Sequence, residues 1–334
     1  MSVPITLACE RYDRTEALRD GRVRPAGVDL TYLAQPVEET FFRMARFGEF
    51  DAAEMSLSSY VVSATRAGVT SADSPFVALP VFPSRLFRHS SVYVSAASGI
   101  RKPADLVGKR VGVAEYQLTA NVWIRGILAD EHGVPVDAVS YRTGGLHQPG
   151  RVEKLKVDLP EGIDIRPIGP GQTLSDMLAT GEIDALYTPR TPRSFAEGGH
   201  GVRRLFDPAG PVEEEYFRRT GIFPIMHVVV LRRDVYTRDR WLARSLFDAF
   251  AEAKRLCEEG IDETAAARYM LPWLHDEVAR TRAVLGEDYW PYGLERNRTA
   301  LSAFLRYSRE QGLAARGIEP EELFAPETLE STLV

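Results

Sequence analysis

The chain predicts an α/β fold in two lobes, the second inserted into the first. Three observations predict it. Roughly the first ninety residues alternate strand and helix patterns, the middle repeats that rhythm, and beyond an apolar strand at 227–231 the chain reads as almost wholly helical. A βαβα rhythm calls for a largely parallel sheet with helices on both faces.

In chain order, strand patterns fall at 5–9, 28–33, 52–55 and 76–79, with helical patterns at 37–47 and 59–67 between them. A strand at 91–95 leads into the second α/β segment. There Pro103 and Asp105 open a turn, Gly108 closes it, and Val111-Gly112-Val113 is a short apolar run that suits a covered strand. Glu115 to Thr119 form the loop at that strand's carboxyl end, where open α/β sheets bind small ligands. A helix at 120–132, strands at 139–141 and 163–168, a helix at 173–179 and a strand at 183–187 complete the segment. The loop 144–150, GGLHQPG, reads as the most flexible stretch.

Beyond 227–231, residues 239–257 place Leu242, Leu246, Phe250, Ala253 and Cys257 on one helical face. Helices at 262–270, stopped by Pro272, and at 294–311, with Gly312 as C-cap, follow. The expected division is 1–92 with 226–334 as lobe one, carrying the C-terminal helices, and 93–225 as inserted lobe two. Its ligand cleft is expected between the lobes.

Composition narrows the function. The chain has 334 residues, 44% hydrophobic and 26% charged, with a net charge of −6 and a pI of about 5.7. That balance points away from nucleic acid and polyanions. No stretch approaches a membrane span. Cys9 and Cys257 make neither a disulfide framework nor a metal cluster, and Cys257 reads as a core thiol. The chain starts directly on a strand pattern, so a cytoplasmic protein is expected. There is no G-x-G-x-x-G after a strand, no phosphate loop, no H-E-x-x-H and no G-x-S-x-G elbow.

Longer words carry a resemblance. PADLVGKRVGV at 103–113 and TLSDMLATGEIDALYTPR at 173–190 resemble the second lobe of the type II periplasmic-binding-protein fold. PVFPSRLFRHSSVYV at 80–94, EYQLTANVWIRGIL at 115–128, YFRRTGIFPIMHVVVLRRD at 216–234, LPWL at 271–274 and DYWPYGLERNR at 288–298 are narrower. Together they resemble the 4,5-dihydroxyphthalate decarboxylase family, cytoplasmic enzymes on that fold. The resemblance implies non-oxidative loss of CO₂ from a hydroxylated aromatic carboxylate, 4,5-dihydroxyphthalate giving protocatechuate.

Such a reaction needs a carboxylate clamp, an acid that protonates the ring carbon, and a partner for the phenol. Arg85 and Arg88, with Ser84 beside them, and Arg190 lie in loops after strands, where their planar forks suit carboxylates. Arg11 is a further candidate. Each Arg weighs evenly against a plain surface role. His227 and His89 flank the two expected crossovers and are the candidate acids, with a buried structural histidine as the alternative for each. Glu115 is expected to support a histidine or accept a phenolic proton. Tyr116 and Thr119 are candidates for hydrogen bonds to substrate, Thr119 also as a helix N-cap. Ser56, Ser58 and Ser59 open another helix whose N-terminus suits an anion. Trp123 and Tyr187 offer ring stacking or core packing. His147 is placed to close over a ligand, while His132, His200 and His275 read as surface residues. No cofactor is expected and no metal-binding signature is seen, although a metal held by His89, His227 and Glu115 is left open. The expected partner is a small aromatic carboxylate, with no nucleic acid and no membrane, and self-association is left open. A solute-binding protein for an aromatic acid, or another lyase on the same scaffold, is the competing reading.

Overall fold

The computed structural model describes residues 2–66, 70, 73–153, 159–198, 201–266 and 268–329. The chain opens with β1 (Val3–Cys9), α1 (Glu16–Arg19), β2 (Val28–Ala34), α2 (Val37–Phe47), β3 (Ala52–Ser56), α3 (Leu57–Ala64) and β4 (Phe76–Leu79). The middle carries β5 (Val92–Ser95), β6 (Arg110–Val113), α4 (Thr119–His132), β7 (Ser140–Thr143), β8 (Ile165–Pro167), α5 (Leu174–Thr180), β9 (Ala185–Tyr187), α6 (Arg193–Ala196), β10 (Val202–Arg204) and α7 (Ala209–Thr220). β11 (His227–Arg232), α8 (Arg233–Arg238), α9 (Trp241–Ile261), α10 (Leu274–Leu285) and α11 (Arg298–Glu310) finish it.

Two compact units result. Unit one is Met1–Arg85, Ile225–Ser302 and Ile318–Val334, and unit two is Leu86–Pro224 with Ala303–Gly317. The sequence predicts boundaries at 92/93 and 225/226, with the whole C-terminal region in lobe one. The contacts instead count Ala303–Gly317, most of α11's length included, with unit two.

Unit one is built on a five-stranded sheet of order β2-β1-β3-β11-β4. β1 is parallel to β2 and β3, while β11 runs antiparallel to β3 and β4. β11 has neighbours on both edges, and its Val228 to Leu231 are buried, which explains an unbroken apolar run instead of an alternating one. Its reversed direction brings the start of β11 to the same sheet edge as the ends of β1 and β3. Cys9, Ser56 and His227 therefore share that edge, with His227 directly opposite Ser56. α9 covers the unit by packing its Leu246, Phe250 and Ala253 face on α1 and the Asp13–Thr15 turn. Cys257 is buried on that face.

Unit two holds a six-stranded sheet of order β10-β5-β9-β6-β7-β8. α4 packs tightly here. Trp123 is fully buried against Phe304 and Tyr307 of α11. A Cβ on Gly126 would fall 2.2 Å from the Tyr307 ring, so only glycine allows this approach.

Several expectations need correction. The stretch 262–270, expected as a helix, is bend and irregular chain where it is described, and Met270, Leu271 and Trp273 are exposed, so no core rewards a helix there. A helix at 274–285 was not read, although Asp276 and Glu277 in its first turn and Arg282 in its last complement the helix dipole. α7 and β10 were also not read. The loop 144–150 is tied down, since the Leu174 and Ser175 N–H groups bond the Gly145 and Leu146 carbonyls. Thr119 is the first helical residue of α4, not its cap: Leu118 is the N-cap and offers no side-chain bond. Among the described residues no helix is long and apolar enough to cross a membrane.

Candidate active site

The sheet edge of unit one gathers titratable groups around Glu54. This glutamate lies inside the apolar strand β3 and is fully buried. β11 places Val229 opposite it and His227 one diagonal step away on the same face, within reach of long side chains. His227 Nδ1 meets Glu54 Oε1 at 2.6 Å. The Tyr12 hydroxyl donates to that same oxygen at 2.7 Å. The Glu10 N–H donates to Oε2 at 3.0 Å, and the Cys9 thiol lies 3.5 Å from it.

The electrostatics follow from this shell. Burial pushes the Glu54 carboxyl up, but His227, Tyr12 and the Glu10 N–H outweigh it and leave the group below the ordinary range. Glu54 is therefore a carboxylate. Burial, and then the Glu54 charge, push the Cys9 thiol and the Tyr12 phenol well up, so both stay neutral donors. Glu54 fixes the orientation of the imidazole and balances the charge the ring carries when both nitrogens hold protons. With Nδ1 engaged, Nε2 is the nitrogen left for chemistry. Phe41 meets the ring edge-on at 4.8 Å, and the Ser84 carbonyl accepts the N–H of His227. Oriented imidazole backed by a buried carboxylate is an acid–base device.

Unit two presents a second polar edge at the end of β6. Glu115 is buried and paired with Arg151 at 2.6 Å. Glu153 accepts the N–H of Tyr116. The Tyr116 hydroxyl donates to the Gln311 carbonyl at 3.1 Å, and the Arg125 guanidinium stacks on the Tyr116 ring at 3.8 Å. Among the described residues no group of three or more His, Cys, Asp or Glu is placed to hold a metal ion.

No family model matches this chain. The 4,5-dihydroxyphthalate decarboxylase of Comamonas testosteroni is 42% identical over 327 residues, 98% of either chain. The chain belongs to the 4,5-dihydroxyphthalate decarboxylase family. The enzyme of that name from Pseudomonas putida is 45% identical over 213 residues, 64% of this chain and 81% of that one. Solved structures agree on the fold. The periplasmic aliphatic sulphonate binding protein of Escherichia coli superposes with a TM-score of 0.53 at 13% identity, covering 97% of this chain and 98% of its own. A sulfonate-binding protein of Methylobacillus flagellatus gives 0.55 at 13% identity, covering 98% and 92%. The protein is thus a carboxy-lyase on a two-lobed periplasmic-binding-protein-like fold.

The decarboxylase places the expected residues as follows. In unit one, Ser84 and His227 come together, and Ser58 is buried in α3 just beyond β3. Arg85 is buried and bonds the Pro291 carbonyl and Asn297, and burial lowers its guanidinium to about 9. In unit two, Arg88 is buried and lowered by burial to about 10, with Glu213 opposing the shift. His89 is packed edge-on to Phe206 and Tyr216, and burial pushes it down to about 4. It is neutral near pH 7, as suits a packed ring. Arg190 is exposed, and Tyr187 and Thr119 are buried. His132 is half-buried beside Phe206, not a surface residue, while His275 is exposed and His200 lies outside the described residues.

Glu115 pairs with Arg151, and the carboxylate that meets His227 is Glu54. The sequence reading passed over Glu54, Tyr12 and Glu153. A signal for Glu54 existed: a charge at the centre of a strand with apolar neighbours on both faces must find a buried partner.

Proposed function

We propose that this decarboxylase converts 4,5-dihydroxyphthalate to protocatechuate and carbon dioxide, with His227 as the proton donor and Glu54 as the residue that orients it. The observation that carries the reading is the 2.6 Å bond between His227 Nδ1 and the buried Glu54 carboxylate. The substrate is taken from the relative that is 42% identical over 98% of the chain.

The chemistry fits an oriented imidazolium. Nε2 delivers its proton to the ring carbon bearing a carboxylate. The hydroxyl para to that carbon supplies electron density, so the ring tolerates a tetrahedral carbon there. The bond to the carboxylate then breaks, its electron pair returns to the ring, aromaticity is restored and CO₂ leaves. The new C–H bond keeps the proton, and solvent restores the imidazolium. The two carboxylates are equivalent by the symmetry of the substrate, so either orientation is productive. Glu54 remains ionised throughout and holds the cationic ring in place. The cycle is redox-neutral.

The test is direct. Incubation with 4,5-dihydroxyphthalate should yield equal amounts of protocatechuate and CO₂, without added nicotinamide or flavin. His227→Gln should abolish most turnover while the protein still binds phthalate. If the wild-type protein leaves the substrate intact, the substrate assignment falls. If His227→Gln turns over normally, the proton-donor assignment falls.

A further inference from the structure

Glu153 holds a place in unit two that its own chemistry disfavours. Its carboxylate accepts the Tyr116 N–H, and the Gln117 N–H also faces it. Successive backbone N–H groups make an anion-binding concavity. The turn leads into the fourteen-residue α4, whose first turn has no side-chain cap, so the positive end of that helix adds to the field. Yet Glu153 fits this place poorly. Among the described residues its Oε2 is buried with no hydrogen-bond partner. Burial, with the nearby Glu115 charge, pushes its carboxyl up to about 7.

The turn also carries unmet polar atoms of its own. Gln117 is 2% exposed, and neither its amide nitrogen nor its oxygen has a partner among the described residues. Arg125 is 2% exposed. Its Nε bonds Gln311 and its Nη2 bonds the Tyr116 carbonyl, while Nη1 has no partner among the described residues. Buried polar atoms in this state call for an explanation. Two backbone donors, an amide that both donates and accepts, and a fixed cation behind them are the set a carboxylate needs.

We propose that the Tyr116–Gln117 turn is a carboxylate-binding subsite of the decarboxylase and that Glu153 is its displaceable occupant, giving way to the carboxylate of a small aromatic ligand. The ligand class rests on the substrate proposed above. Among the described residues, the charged and titratable groups around Glu153 are Glu115, matched by Arg151, together with Arg125 and the Tyr116 phenol. As pH falls through about 7, Glu153 takes up a proton and loses its hold on the two N–H groups. An ionised ligand then competes better.

Phthalate is the probe, because it carries the carboxylates without the hydroxyls that drive the reaction. It is titrated by calorimetry into the whole protein between about pH 6 and about pH 8. Wild type should bind roughly tenfold more tightly at the lower pH, and Glu153→Ala should bind at every pH as tightly as wild type does at the lowest. Gln117→Ala should weaken binding about tenfold in either background. The proposal is overturned if Glu153→Ala keeps the wild-type pH slope and gains no affinity, since Glu153 would then merely cap the turn. If the alanine variant does not fold, the isosteric Glu153→Gln must flatten the same profile, and a retained slope overturns the idea equally. Turnover of 4,5-dihydroxyphthalate by wild type is followed in parallel. Turnover without the Glu153 effect sinks the subsite alone, and the Glu153 effect without turnover sinks the substrate reading alone.

Discussion

Glu54, inside β3 of unit one, and Glu153, between β7 and β8 of unit two, are both carboxylates, and they titrate in opposite directions. Both lose hydration, and in both burial is the largest influence. The difference lies in the donors. Glu54 is met on both oxygens, by His227 and Tyr12 on one and by Glu10 and Cys9 on the other. Among the described residues Glu153 leaves Oε2 without a partner, and it faces the like charge of Glu115. A buried carboxylate stays ionised when its surroundings complete its shell and takes up a proton when they do not. The first arrangement suits a permanent counter-charge. The second suits a group that can be displaced.

The largest expected effect is on His227, which distinguishes the chemistry of the Glu54 cluster from its packing. His227→Gln keeps an N–H able to reach Glu54, so the buried charge retains a donor. Turnover should drop by about a hundred- to ten-thousandfold in an assay of released CO₂, with thermal unfolding still cooperative. Glu54→Gln comes next. Its amide cannot accept from four donors, so one or two are left unmet at a cost of about 1–3 kcal/mol in chemical denaturation. The imidazole also loses its counter-charge, and kcat should fall about a hundredfold. A variant with full kcat and reduced stability would make Glu54 a packing residue only.

The opposite titrations give a sharper comparison, read in stability against pH. The folded pKa of Glu54 is depressed, so its contribution is present above the ordinary carboxylate value and disappears as pH falls through the folded value. Glu153 is raised to about 7. The folded protein therefore holds an extra proton between the ordinary carboxylate value and about 7, and stability is lost as pH rises across that window. Glu153→Gln should thus stabilise the protein at mildly alkaline pH, by about 1 kcal/mol after allowance for partial exposure, and change little at acid pH. Glu54→Gln should destabilise it at neutral pH, with the gap narrowing on strong acidification. Matching slopes for the two variants in urea titrations would erase the distinction.

How much of this was legible in the sequence follows the same physics. Strands such as Phe76–Leu79 and helices such as Val37–Phe47 announce themselves through local periodicity, and the reading placed both at the ends they have. His227 was legible as a histidine opening an apolar strand. Its partner was not, because the antiparallel pairing of β11 with β3 joins residues 173 apart in the chain. Nothing local says which carboxylate a strand will meet, and the sequence points instead to Glu115, at the end of the strand that includes Val111 to Val113. The failed helix at 262–270 shows the converse, since its residues favour a helix but the surrounding structure gives them nothing to bury.

The smallest expected effect belongs to Cys9, the weakest of the four donors around Glu54 at 3.5 Å. Its thiol is buried and held neutral, which makes it a poor nucleophile. Cys9→Ala leaves Glu54 with Tyr12, His227 and the Glu10 N–H, so the carboxylate stays ionised and His227 keeps its orientation. Stability should fall by about 1 kcal/mol through lost packing and one weak bond, and kcat should stay within about twofold of wild type. A collapse of turnover in a well-folded Cys9→Ala protein would mean that the thiol takes part in the reaction itself, and the division of roles between His227 and Glu54 would have to be redrawn around it.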